Sequence, residues 1–259
     1  MELCKHCSSP ILSDTEDQVY CSHECWRAYR ELQSSGKPEP KESALMVWAS
    51  IVGVLIALFA LLMAVFLILG DSELGLPIFT FLSGVMVYFI LKEVYSKEQI
   101  TALFSIPDRS EAGRLILLIL VLDIFVVLPI HVVVTLLVFP DAEQQEIITM
   151  FEEASDTSIA LLAFSVAILT PFAEELLFRG FILGMLMKRY EDTTAIVISS
   201  LIFAIAHEPI AMGLAFGGGL LYGWVRVRTG SVIPGMMAHA IWNGFITIVV
   251  VFVLATIHI

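Results

Sequence analysis

The sequence predicts an all-α polytopic membrane protein, with about seven transmembrane helices behind a small cytosolic module at the N-terminus. Three observations carry that prediction. The 259 residues are 58% hydrophobic and only 15% charged, with a mean hydropathy of +0.88; a soluble domain has about 45–50% apolar and about 25% charged residues. The apolar residues fall in runs long enough to cross a bilayer. The positive residues fall on alternate loops, as the positive-inside rule expects. Net charge is −12, from 14 Lys and Arg against 26 Asp and Glu. Nucleic-acid binding needs clustered positive charge to displace counterions, and the sequence shows no such cluster. The same composition excludes a disordered chain, a collagen and a secreted disulfide scaffold.

The module comes first. Cys4, Cys7, Cys21 and Cys25 are the only cysteines. Two close pairs joined by a short loop place four thiolates tetrahedrally around one structural Zn²⁺. Ile11, Leu12, Val19 and Tyr20 suit a small hairpin between the pairs, and 24–33 reads as a short helix with Trp26, Tyr29 and Leu32 on one side. A unit this small buries too little to fold alone, so a metal is the expected support. His6 and His23 are spare ligands. Two disulfides are the rival, but they need an oxidising compartment, and the topology places this segment in the cytosol. The pattern over 1–33 resembles a zinc-ribbon or treble-clef knuckle. Residues 34–43 (SSGKPEPKES) read as a flexible linker.

The transmembrane domain is then 44–259. Spans are predicted near 44–70, 74–95, 115–140, 158–187, 192–207, 210–226 and 231–257. The first run is far longer than a signal-peptide core. An interfacial helix is expected within 141–157, where Ile147, Ile148, Met150 and Phe151 interrupt the acids. Every one of the 14 Lys and Arg except Arg179 lies before span one, from the end of span two to the start of span three, after span four, or at and after the end of span six. That puts the N-terminus in the cytosol and the C-terminus outside.

Arg179 sits inside a span with Glu174 and Glu175, in TPFAEELLFRGFIL (170–183). Each charge at a helix centre costs about 2.5–3.5 kcal/mol on the translocon scale, so three together need a reason. Glu175 and Arg179 are spaced i,i+4 with the acid first, the favourable order for an ion pair. Glu174 points about 100° away and is free for other work. Pro171 removes a backbone hydrogen bond just before it. Two later spans carry matching groups. His207 follows Phe203 by one turn, and His239 and Asn243 share a face of the last span. Helical rise puts Glu174 and His207 about 21–23 Å from the cytosolic side. It puts His239 shallower, at about 12 Å, unless the chain after Arg228 dips inward first. Asp123 and His131 in span three read as packing or supporting polar residues.

E-E-x-x-x-R (Glu174, Glu175, Arg179), F-x-x-x-H (Phe203, His207) and H-x-x-x-N (His239, Asn243) together resemble the motifs of the CPBP intramembrane proteases. That family groups CAAX proteases with bacteriocin-processing proteins and includes the Rce1-type prenyl-protein endopeptidases. Gly219, Gly223, Trp224 and the run Arg228-Thr229-Gly230-Ser231 agree as well. The resemblance covers about 158–250 and does not extend to the cysteine module.

Peptide hydrolysis needs an activated water, a proton donor for the leaving amine and donors to the oxyanion. The resemblance implies Glu174 as base and His207 as orienter or proton donor. It also implies His239 and Asn243 at the oxyanion, with Glu175 and Arg179 as the supporting pair. A zinc-dependent mechanism is the chemical rival, since two His and a Glu can ligate zinc. There is no H-E-x-x-H, so metal-free glutamate chemistry is favoured and no catalytic metal is expected. Gly213, Gly217, Gly219 and Gly223 suit close helix packing. The expected substrate is a membrane-associated protein or peptide in a bacterial or archaeal cell membrane, and the zinc module is free to take a protein partner. A non-catalytic scaffold or immunity-type protein is the alternative function. A transporter would call for repeats that are absent.

Overall fold

Ser43 starts the first long helix by accepting the Met46 N–H on its hydroxyl at 3.2 Å. In the computed structural model, which describes residues 42–70, 72–139 and 146–257, α1 spans Ala44–Leu69 and α2 Gly75–Val94. A short α3, Lys97–Leu103, is held by a reciprocal cap between Ser96 and Gln99. α4 runs over Arg109–Val138, opened by Asp108, whose carboxylate accepts the N–H groups of Ser110 and Glu111. α5 is Glu146–Glu153, inside the stretch expected to hold an interfacial helix. α6 starts at Asp156 and ends at Met187, followed by α7 (Asp192–Ile205), α8 (Met212–Thr229) and α9 (Ile233–Ile257). Among the described residues there is no strand.

A helix stands at each of the seven predicted spans, but only five are long and apolar enough to cross a bilayer: α1, α2, α4, α6 and α9. The two that fall short sit side by side. α7 has 14 residues, which rise about 21 Å against a hydrocarbon core of about 30 Å. α8 is rich in glycine and ends on Arg226 and Arg228. Residues 1–41, which hold the expected four-cysteine zinc module and all but the last two residues of the linker, lie outside the described residues. Among the described residues no cluster of His, Cys, Asp or Glu is arranged to hold a metal ion.

The interior forms where α6 and α7 meet α1 and α2, around Ile51, Leu91, Leu176, Ile182, Leu183, Leu186 and Phe203. The outward faces of α1 and α4 carry exposed Phe59, Phe66, Phe125 and Leu137, the surface a lipid-facing helix presents. Two ion pairs gather helix ends at one end of the bundle. Lys188 after α6 meets Glu42 before α1 at 3.0 Å, and Arg228 of α8 meets Glu111 of α4 at 3.6 Å.

Two local devices set the positions of polar residues. The first is the turn between α8 and α9. Gly230 has φ +72°, a conformation only glycine adopts freely. Ser231 and Val232 are completely or almost completely buried. The end of α3 and the residues after it hold the turn: the Val232 N–H donates to the Leu103 carbonyl at 2.9 Å, and the Ser231 hydroxyl to the Ser105 carbonyl. The turn is buried within the protein, and His239 of α9 reaches the Glu174 carboxylate of α6.

The second device is a set of π-helical turns, at Asp123–Val127 in α4 and at Ser165–Leu169 and Glu175–Ile182 in α6. Such turns insert a residue into the α-helical register and leave carbonyls without their usual donors. At the first turn of α6, Thr170 donates to the Ser165 carbonyl, and Pro171 has no N–H to give the next one, Val166. Asn243 of α9 donates to that carbonyl instead, at 3.1 Å.

Candidate active site

The polar residues at the centre of the bundle come from α4, α6, α8 and α9 and from the turn after α7. Glu174 closes an α-helical stretch of α6, and Glu175 begins the π-helical stretch that carries Arg179. Glu175 is fully buried and meets Arg179 at 3.2 Å and His239 Nδ1 at 3.1 Å through the same oxygen, Oε1. The Arg179 contact is an ion pair without hydrogen-bond alignment. The guanidinium lies 4.3 Å over the Phe203 ring and 5.3 Å over Tyr222, so aromatic faces share the task of holding the buried cation.

Glu174 is less enclosed, with 24% of its side chain exposed, and both imidazoles turn toward it. His207 Nε2 is 3.9 Å from Oε1, and His239 Nε2 is 3.7 Å from Oε2. The far nitrogen of each ring is already engaged. α7 ends at Ile205, so the carbonyl of Phe203 lacks a helical donor. His207 Nδ1 lies 2.8 Å from it. A carbonyl only accepts, so Nδ1 carries the hydrogen and Nε2 of neutral His207 faces Glu174 as an acceptor. His239 Nδ1 donates to Glu175 in the same way. Two ring nitrogens therefore converge on one carboxylate at distances too long for direct hydrogen bonds and right for a bridging water.

The structure brings Glu174, Glu175, Arg179, His207 and His239 into one cluster. Asn243, one turn beyond His239, has its amide on the Val166 carbonyl. A second pair lies behind the cluster. The Tyr222 ring of α8 stacks on His239, 4.9 Å between centroids and 20° from parallel. Its hydroxyl donates to Asp123 Oδ2 of α4 at 3.4 Å. Tyr222 passes for a packing aromatic in the sequence, and a lone Asp in a span has many readings; the signal that pairs them is purely tertiary.

The family model of Rce1-like type II CAAX prenyl endopeptidases matches residues 156–245, the segment that supplies every member of the cluster and Tyr222 behind it, but not Asp123. The site segment is similar to an Rce1-like protease. The membrane-embedded CAAX protease MroQ of Staphylococcus aureus (strain USA300) is 32% identical over 97 residues, 35% of this chain and 39% of that protein. An uncharacterized 24.3 kDa protein of Escherichia coli is 30% identical over 96 residues, 35% of this chain and 44% of its own length. The chain thus spans about two fifths of the length of the curated relatives it matches. No solved structure matches.

Proposed function

We propose that the protein is an intramembrane endopeptidase that hydrolyses a peptide bond of a membrane-associated protein or peptide, with Glu174 activating the water. The observation that carries this reading is the convergence of two imidazole Nε2 atoms on the partly exposed Glu174 carboxylate. A water bridging Glu174 and His207 gives its proton to the carboxylate as its oxygen attacks the scissile carbonyl carbon. His239, between two carboxylates, donates from Nε2 to the developing oxyanion when it carries both ring protons. The amide of Asn243 has two N–H bonds; one is on Val166, and the other serves as the fixed neutral donor. The proton held by Glu174 then passes to the leaving nitrogen as the C–N bond breaks, with His207 as the relay. Glu175 and Arg179 hold His239 in place and carry no proton in the reaction. This scheme runs without a catalytic metal.

The similarity to CAAX proteases suggests a prenylated C-terminal peptide as the first probe. Chains that carry Glu174→Ala should retain their substrate long enough for capture and identification by mass spectrometry, while wild-type protein releases it. Capture of the same proteins by both chains, with no cleavage by either, would remove the protease reading. The proposed topology puts 1–43 in the cytosol and the C-terminus outside, with α7 and α8 completing seven crossings. The gathering of Lys188 and Arg228 at one end of the bundle supports that orientation. The Cys4, Cys7, Cys21 and Cys25 module is proposed to bind one structural Zn²⁺ and to take a protein partner.

A further inference from the structure

Asp123 and Tyr222 lie outside the three motifs, and the hydrolysis just described gives them nothing to do. Yet they are 2% and 3% exposed, at the level of the membrane where an unneeded carboxylate is expensive. Their placement is also costly to build. Asp123 is the first residue of the π-helical turn in α4. The last residue of that turn, Val127, packs so closely on α8 that a Cβ at Gly217 would overlap its side chain. The irregular turn and the glycine together let α4 approach α8 with the Asp123 carboxylate over the Tyr222 hydroxyl. Tyr222 in turn lies flat on the imidazole of His239, whose two nitrogens face Glu175 and Glu174. A stacked ring fixes the plane of its neighbour, and a hydroxyl held by a carboxylate fixes the stacked ring.

We propose that Asp123 and Tyr222 are positioning residues for the hydrolysis: Asp123 anchors the Tyr222 hydroxyl, and the anchored ring sets the plane of His239 so that Nε2 faces the reacting centre. The inference rests on the protease reading for its catalytic consequence. Its physical content, the orientation of one imidazole, does not. Hydrogen bonds at Nδ1 alone leave the ring free to swing about the Glu175 contact. Stacking removes that freedom, and small losses of alignment at a reacting centre are expensive in rate.

The test uses the full chain in lipid nanodiscs with isotope-labelled histidine. The His239 ring signal is assigned by its loss in His239→Asn, and the activity probe is an internally quenched farnesylated CAAX peptide. Tyr222→Phe keeps the ring but loses the hydroxyl, Asp123→Ala removes the acceptor, and Asp123→Asn keeps an oxygen acceptor without charge. Tyr222→Phe and Asp123→Ala should both displace or broaden the His239 signal and lower kcat about tenfold with KM unchanged. Asp123→Asn should restore both readouts to near wild type. An unchanged His239 signal in Tyr222→Phe and Asp123→Ala overturns the proposal, and so does an Asp123→Asn that behaves like Asp123→Ala. If Asp123→Ala does not assemble, Tyr222→Phe, which removes a single oxygen, decides the matter. A wild-type chain inactive on the peptide counts against the protease reading alone, because the His239 signal still reports on the anchor.

Discussion

Glu174 and Glu175 are neighbours in sequence and opposites in environment. Glu175 is enclosed, with Arg179 and His239 on one oxygen; Glu174 is partly open, with an imidazole near each oxygen. Glu175→Gln leaves a buried guanidinium without its counter-charge, and breaking a buried pair costs about 3–5 kcal/mol. Reduced protein level and a lower thermal midpoint are the expected result, with activity lost as His239 loses its anchor. Glu174→Gln preserves shape and removes the base. Normal assembly with cleavage down by at least about 10²-fold is expected. Thermal unfolding and peptide cleavage of both purified variants, measured side by side, check the pair. Wild-type cleavage by Glu174→Gln would refute the glutamate mechanism.

Between elements, the contact of α8 with α4 depends on a missing side chain. Gly217→Leu would push α8 off Val127, and overpacking of this kind costs about 1–3 kcal/mol. Gly113, early in α4, has open space around its would-be Cβ. There Gly→Ala should be neutral or stabilising by about 0.4–1 kcal/mol. Thermal midpoints of the two variants in one detergent test whether close approach, and not helix propensity, is what Gly217 supplies. What could be read in advance at this scale has a physical boundary. The ends of α1 and α2 fall within a residue of the sequence reading, because length and apolarity are local properties. The i,i+4 spacing of Glu175 and Arg179 is local too. The π-helical turns, the short α3, the buried 230–232 turn and the stacking of Tyr222 on His239 all depend on partners far along the chain. No periodicity encodes them. The two short helices meet the same boundary: apolar composition places helices there, but the 14 residues of α7 rise only about 21 Å, so composition alone does not count it as a crossing.

Across the whole molecule, orientation and acid tolerance follow from the loops. With single cysteines in a chain stripped of the native four, residue 147 should label from outside and residue 228 only after permeabilisation. Labelling of both from one side would mean an even number of crossings between them and refute the seven-span count, and the reverse pattern would invert the protein. On the predicted outer face, Glu73 joins the α1–α2 loop to the start of α6. It accepts from the N–H of Ser155 at 3.1 Å and from its hydroxyl at 3.2 Å. Hydrogen bonds from Ser158 and Ser155 hold its carboxyl below its ordinary value of 4.5. A carboxylate with a depressed value stabilises the fold above its ordinary value and loses that contribution as pH falls through the depressed one. Amide exchange at Ser155, corrected for its intrinsic pH dependence, should therefore stay slow down to about pH 4.5 and quicken below it, and Glu73→Gln should flatten the change. At the other end, metal analysis of the full chain should find about one zinc, lost when Cys4 and Cys7 are both replaced by Ser.

The clasp on the 230–232 turn links the beginning of the membrane domain to its end. The carbonyls of Leu103 and Ser105 leave the ribosome early, and the groups that satisfy them arrive 126 residues later for the Ser231–Ser105 contact. A nascent chain that has delivered Glu174 and His207 thus still lacks His239, and the slot for the last turn stands open until α9 enters. On the proposed hydrolysis, competence then waits for α9, and a chain stalled before Ile233 holds Glu174 and His207 without the imidazole that completes the site.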